Sequence, residues 1–111
     1  MRSIQHHIDG QSVNSSSSNT QEVLNPATTE RVAKIQIASA TDTDHAVQAA
    51  KSAFLDWRDT SIAKRTKLLY NFRNLVVDNE KKIAELITEE HGKVLSDARG
   101  EVARGIENIE Y

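Results

Sequence analysis

The spacing of apolar residues in this chain changes near residue 40. Before that point the apolar positions come in short, extended runs. Ile4 to Ile8 predicts a first strand, Asp9-Gly10 is a turn signal, and Val13 marks a weak second strand. Ser15 to Thr20 is a polar, serine-rich loop with nothing to bury. Val23-Leu24 leads into Asn25-Pro26-Ala27-Thr28-Thr29, a turn whose proline fixes φ and removes a donor. Val32, Ile35 and Ile37 then mark an extended segment to about Ala38.

After residue 40 the period is helical. Thr41-Asp42-Thr43-Asp44 has the form of a capping box with Thr41 as the cap. Val47, Ala50, Phe54 and Trp57 follow on one stripe. A second helix is expected from Thr60 or Ser61, its face carrying Ile62, Leu69, Phe72 and Val76, widened by Leu68 and Leu75. Asp78 or Asn79 caps a third helix with the stripe Ile83, Leu86 and Ile87. Gly92 stops it, because a left-handed residue after a helix is cheapest as glycine. Ser96 or Asp97 opens a fourth, lined on one side by Val102, Ile106 and Ile109.

That fourth helix meets no stop signal before Tyr111. Neither the strands nor the other helices offer it an obvious surplus of apolar surface, so its packing partner is expected in sequence beyond these residues. The order of elements, strands at 1–40 and a helical layer at 41–111, is no βαβ repeat. It fits an appendage of edge strands and about four helices laid on a larger α/β body.

Composition narrows the classes. With 27% charged and 38% hydrophobic residues, the chain is ordinary for a soluble globular protein. Its net charge of −2, with the signs interspersed, leaves no basic stripe for nucleic acid. There is no cysteine, hence no disulfide, thiolate zinc site or thiol nucleophile within it. The first residues show no secretory pattern and no stretch is long enough to span a membrane, so a cytoplasmic location is expected.

Most polar constellations have ordinary readings. His6-His7 in a strand point to opposite faces and cannot chelate one metal together. His45 and His91 have no ligand at helical spacing, and Glu89-Glu90-His91 lacks the second histidine of a helical zinc motif. Gly92-Lys93 resembles the end of a phosphate loop but stands without its run of glycines. The carboxylates Glu80, Glu85, Glu89, Glu90, Asp97 and Glu101 alternate with lysine and arginine, as on a solvated helix face. Arg104 stands apart. It lies between Val102 and Ile106, and Gly105 beside it leaves room for close approach. A guanidinium there presents a planar fork suited to a carboxylate, against the plainer reading of an arginine stretched along a surface.

Together the motifs resemble a known family. Asn25-Pro26-Ala27-Thr28, the alanine-rich Asp44-x-Ala46-Val47-x-Ala49-Ala50, Trp57, Arg65 with Leu69, and Glu90-His91-Gly92-Lys93 resemble the N-terminal part of aldehyde dehydrogenases. Gly100-Glu101-Val102-Ala103-Arg104-Gly105-Ile106-Glu107 is similar to the methylmalonate-semialdehyde dehydrogenase branch, which acylates coenzyme A. The resemblance runs from about His7 to Tyr111. It implies an α/β fold with a Rossmann-like cofactor domain, of which both regions here form one incomplete N-terminal part.

It also implies oxidative decarboxylation of malonate or methylmalonate semialdehyde to acetyl- or propionyl-CoA, a step of valine catabolism, with NAD as hydride acceptor. The complete enzyme would be a homo-oligomer acting on a small aldehyde. By the same resemblance Arg104 helps hold the substrate carboxylate. The cysteine nucleophile, a second arginine and the NAD contacts would lie beyond Tyr111, leaving no catalytic or cofactor-binding residue here and no activity for the chain alone. Two alternatives stand beside this: a non-catalytic helical interaction module that binds a dehydrogenase subunit, and an unrelated small helical protein.

Overall fold

The computed structural model describes residues 1–111. Five strands precede four helices: β1 (Arg2–Ile4), β2 (His6–Ile8), β3 (Gln11–Val13), β4 (Thr20–Leu24), β5 (Arg31–Gln36), α1 (Ala40–Arg58), α2 (Ile62–Asp78), α3 (Glu80–His91) and α4 (Leu95–Glu110). The chain divides into two compact units, Met1–Leu24 with Glu30–Asp59 and Asn25–Thr29 with Thr60–Tyr111. The first unit thus takes in α1 as well as the strands, so this division falls elsewhere than at residue 40.

In the first unit the expected strand from Ile4 to Ile8 is two strands. β1 runs parallel to β5, with Ile4 opposite Ile35, while β2 pairs antiparallel with β3, with His6 opposite Val13. The ladder breaks at Gln5, whose side-chain amide turns aside to donate to Asn14 Oδ1 at 2.9 Å. The β2–β3 hairpin closes on Asp9-Gly10, with φ of 53° and 73°. Two successive positive φ values make a type I′ turn, whose twist matches the flanking strands. β5 is the central strand of its sheet, flanked by β1 and β4, and its Ala33 is fully buried.

The cap of α1 is Ser39, not Thr41. Ser39 Oγ accepts from the Asp42 amide at 3.1 Å, and Asp42 Oδ2 accepts from the Ser39 amide at 2.8 Å. A box needs its carboxylate three residues after the cap. Ser39 and Thr41 both satisfy that spacing, and the chain leaves the extended conformation two residues earlier than the pattern suggested.

The serine-rich loop is likewise not idle. Ser15 Oγ donates to Asp42 Oδ2, and the Ser16 amide donates to Asp42 Oδ1 at 3.2 Å. The Ser15 hydroxyl above all, then the Ser39 amide, hold the Asp42 carboxyl far below its usual pKa, with desolvation working the other way.

In the second unit Ser61 caps α2, accepting from the Lys64 amide at 3.3 Å. Asn79 both ends α2 and begins α3. Gly92 ends α3 with φ of 83°. α4 opens at Leu95 behind Val94, before Ser96 and Asp97, and no side chain caps it. Its stripe does find a partner within the chain. Ala84 of α3 and Ala98 and Val102 of α4 are buried together, with Val76, Ile83, Ile87 and Ile106 packed around them. The small side chains of Ala84 and Ala98 let these helices approach closely.

The surplus of apolar surface is real, but it lies on other elements. α1 and α2 contain no buried residue. Phe54 is 55% exposed, Phe72 51% and Leu75 61%. Large apolar side chains left this open mark a surface suited to binding.

Candidate functional site

The Asn25–Thr29 turn and the end of α3 meet in the second unit. Asn25 Oδ1 accepts from the Ala27 amide at 2.9 Å, and the Thr29 amide donates to the Asn25 carbonyl at 2.7 Å. That closed turn presents Pro26 to Gly92, where an added Cβ would stand 2.9 Å from the proline Cγ. Gly92 is therefore required twice, by its positive φ and by the ring against it.

From this stop the chain turns into α4, whose buried face is set by Ala98, Val102 and Ile106. At 100° per residue, Arg104 points about 200° away from Val102, to the far side of the helix. The structure leaves Arg104 exposed there. Its Nη1 lies 3.6 Å from where a Cβ of Gly100 would be, and nothing stands within 4 Å of a Cβ at Gly105. Neither glycine puts a side chain beside Arg104 on this face of α4.

The other arginines are engaged. Arg31 pairs with Glu22 at 3.0 Å and Arg58 with Asp59 at 3.5 Å. Arg65 Nε donates to the Thr60 carbonyl at 3.0 Å. Arg73 reaches Glu110 at 2.9 Å and Arg99 reaches Glu80 at 2.8 Å. Arg2 also has a partner. Arg104 alone among the seven makes no side-chain hydrogen bond or ion pair.

These pairs also correct the picture of a merely solvated charged face. Arg73–Glu110 joins α2 to α4, Arg99–Glu80 joins α4 to α3, and Lys93 donates to Glu101 across the α3–α4 turn. Lys81–Glu85, at 3.9 Å, is by contrast a pair within one helix turn. Glu101 has its pKa lowered first by the hydrogen bond from Lys93, against some desolvation, with the charges of Lys93, Arg104 and His91 adding to it. Periodicity shows which residues share a helix face, but not which helix lies opposite.

His6 and His7 alternate as expected, His6 half-buried and His7 exposed. The His6 Nε2 is enclosed without a partner, as is the hydroxyl of Thr88. No three histidine, aspartate or glutamate side chains gather as a metal site would require. No helix is long and apolar enough to cross a membrane.

Residues 13–111 match the model of the aldehyde dehydrogenase family. The chain belongs to the aldehyde dehydrogenase family. It is 44% identical over its whole length to the malonate-semialdehyde dehydrogenase of Pseudomonas aeruginosa, of which it spans 22%. The crystal structure of the methylmalonate-semialdehyde dehydrogenase of Oceanimonas doudoroffii superimposes on all of it with a TM-score of 0.95 at 42% identity, again over 22% of that chain. A Sinorhizobium meliloti structure described as a methylmalonate-semialdehyde dehydrogenase complexed with NAD gives the same TM-score of 0.95 at 36% identity, covering 99% of this chain and 22% of that one.

The chain thus spans about a fifth of the length of these aldehyde dehydrogenases. Its order of strands followed by four helices is theirs at that place in the fold. Within these residues the four glycines serve a hairpin turn, a helix stop and two positions on α4. None forms the glycine-rich strand-to-helix turn that cradles a dinucleotide, and the chain has no thiol.

Proposed function

We propose that this chain is the substrate-carboxylate arm of an NAD-dependent, coenzyme A-acylating malonate- or methylmalonate-semialdehyde dehydrogenase. The observation that carries the reading is Arg104, an exposed guanidinium with no hydrogen bond or ion pair in a chain whose other arginines all have one. A planar fork held on a packed helix suits a carboxylate bound by two parallel hydrogen bonds. Malonate and methylmalonate semialdehydes carry a carboxylate that simple aldehydes lack.

In this reading Arg104 grips the carboxylate end and so orients the aldehyde carbon. The attacking thiolate must come from elsewhere in the complete protein, because covalent attack on an aldehyde needs an activated nucleophile and these residues hold none. NAD and coenzyme A, as hydride and acyl acceptors, have no site among these residues. The apolar faces of α1 and α2 are where the rest of the subunit packs. The reading takes the complete enzyme as a cytoplasmic homo-oligomer serving valine catabolism.

The test is a hybrid enzyme in which these 111 residues replace the matching segment of the P. aeruginosa relative. NAD reduction with malonate semialdehyde and coenzyme A is expected from the hybrid and not from the chain alone. Arg104→Leu should raise KM for malonate semialdehyde ~10- to 100-fold, the loss of one charge-assisted contact. Propionaldehyde, with no carboxylate, should be little affected. An equal effect on both substrates overturns the carboxylate reading.

A second reading has one observation in its favour. The half-exposed aromatic residues of α1 and α2 would equally suit an interaction module that binds a separate dehydrogenase subunit. An inactive hybrid, together with a stable complex between the chain and an intact dehydrogenase, would favour it.

A further inference from the structure

Arg104 has a competitor for its fork closer than any substrate. Glu101 precedes it by three residues on α4, the spacing at which glutamate and arginine commonly pair. Such a pair would fill the guanidinium with a carboxylate from the chain itself. The pair does not form. Glu101 is held instead by Lys93, from the turn after Gly92, whose ammonium donates to Glu101 Oε1. The two side chains are 29% and 37% exposed, so the contact is partly sheltered from water. Arg104 runs back along the helix past Gly100, where the absence of a side chain leaves its path open.

We propose that Lys93 is a positioning residue, which by occupying Glu101 keeps the Arg104 guanidinium free for a carboxylate ligand. This rests on the reading of Arg104 as the carboxylate-binding residue. Lys93 acts in two ways. It takes the lone pairs that Arg104 would otherwise approach, and it neutralises a negative charge that would repel an incoming carboxylate. The lowered pKa of Glu101, with Lys93 as its first cause and Arg104 a lesser one, fits that order of attachment.

The consequence is an asymmetry. Lys93→Met and Glu101→Gln break the same ion pair from opposite ends. A tie that only fastened the turn to α4 would suffer equally from either change. Under the proposal, Lys93→Met releases Glu101 onto Arg104, whereas Glu101→Gln removes that competitor and leaves Arg104 free; Glu107, three residues further on, lies away from a guanidinium that runs back beside Gly100.

The experiment measures KM for malonate semialdehyde and for propionaldehyde in the hybrid enzyme. Lys93→Met should raise KM for malonate semialdehyde about 3- to 10-fold, with kcat and the propionaldehyde KM much less changed. Glu101→Gln, the double variant and Lys93→Arg should each stay within about twofold of the parent. A KM raised as much by Glu101→Gln as by Lys93→Met overturns the proposal, as does a Lys93→Met enzyme with unchanged substrate preference. Should Lys93→Met fail to fold, Glu101→Gln decides: an unchanged KM supports the proposal and a raised one overturns it. Arg104→Leu in the same series separates the two levels. If it loses both substrates alike, the carboxylate reading itself fails. If it is selective while Lys93→Met is not, only the role of Lys93 fails.

Discussion

Gly92→Ala is the substitution whose cost the geometry defines best. Two terms contribute. The first is backbone strain, because φ of 83° at this position is a conformation that costs an L-residue ~1–2 kcal/mol. The second is steric. The new methyl would stand 2.9 Å from Pro26 Cγ, and a ring carbon in a turn closed by two hydrogen bonds cannot swing aside as a flexible side chain would. Forcing a methyl into such a contact costs ~1–2 kcal/mol. The sum is ~2–4 kcal/mol, which amounts to a fall of about 30- to 1000-fold in the protection of nearby amides against hydrogen exchange.

The assay is exchange in the last turn of α3, where the Gly92 amide donates to the Thr88 carbonyl at 3.0 Å, measured in the hybrid enzyme. Gly10→Ala is the control. Its φ is 73°, but an added Cβ there meets nothing within 4 Å, so only the strain term of ~1–2 kcal/mol should appear, in its own hairpin. Pro26→Ala in the Gly92→Ala background should recover the steric part, read as a coupling between the two sites. The reasoning is refuted if Gly92→Ala leaves the turn protected, or if removing the Pro26 ring recovers nothing.

Three further outcomes are expected. Ser39→Ala should cost ~0.5–2 kcal/mol in the first turn of α1 while Thr41→Ala costs much less, with exchange of the Asp42 and Thr43 amides as the readout; the reverse order would restore Thr41 as the cap. The depressed pKa of Asp42 means that its contribution to stability is fully present above the ordinary carboxylate value near 4. That contribution is lost progressively as pH falls below that value, and Ser15→Ala should flatten the acid limb of a stability-against-pH curve. The isolated chain should show no sharp transition in scanning calorimetry, since its fully buried side chains are only Ala33, Ala84 and Ala98, with Val102 nearly so; a cooperative transition from a monomer would contradict this.

The elements most legible in the sequence were those whose signals are local. Asp9-Gly10 predicts its turn because two positive φ values in succession exclude most residues, and Gly92 predicts a stop for the same reason. The stripes of α2, α3 and α4 follow from spacing alone. What local signals could not convey is partnership. Ile4 to Ile8 has the alternation of one strand, yet its halves belong to different sheets, because pairing with β5 or β3 depends on residues far along the chain. Ser15 and Ser16 carry no local signal of their role for the same reason. Their partner Asp42 is 27 and 26 residues away, and a hydroxyl carries no periodic trace of the carboxylate it will meet. Alanine is as quiet a signal. Ala84 and Ala98 form the centre of the helical core, where their small size sets how closely α3 and α4 approach, a role hydrophobicity alone does not flag.

The candidate site shows the same division. That Arg104 faces away from the packed stripe follows from counting residues from Val102, and Gly105 beside it signals open space. Exposure by itself says little, since arginines are mostly exposed. What separates Arg104 from the others is a network that sequence could not draw. Glu110 is taken by Arg73, Glu80 by Arg99 and Glu101 by Lys93, each across a helix boundary. The Lys93 pair takes up Glu101, on the side of α4 along which Arg104 runs back past Gly100, and the core of Ala84, Ala98 and Val102 fixes the rotation of the helix. The free guanidinium is therefore a product of how the surrounding charges are spent. Its chemistry should respond to Lys93 and Glu101, which need not touch the ligand, as well as to Arg104 itself.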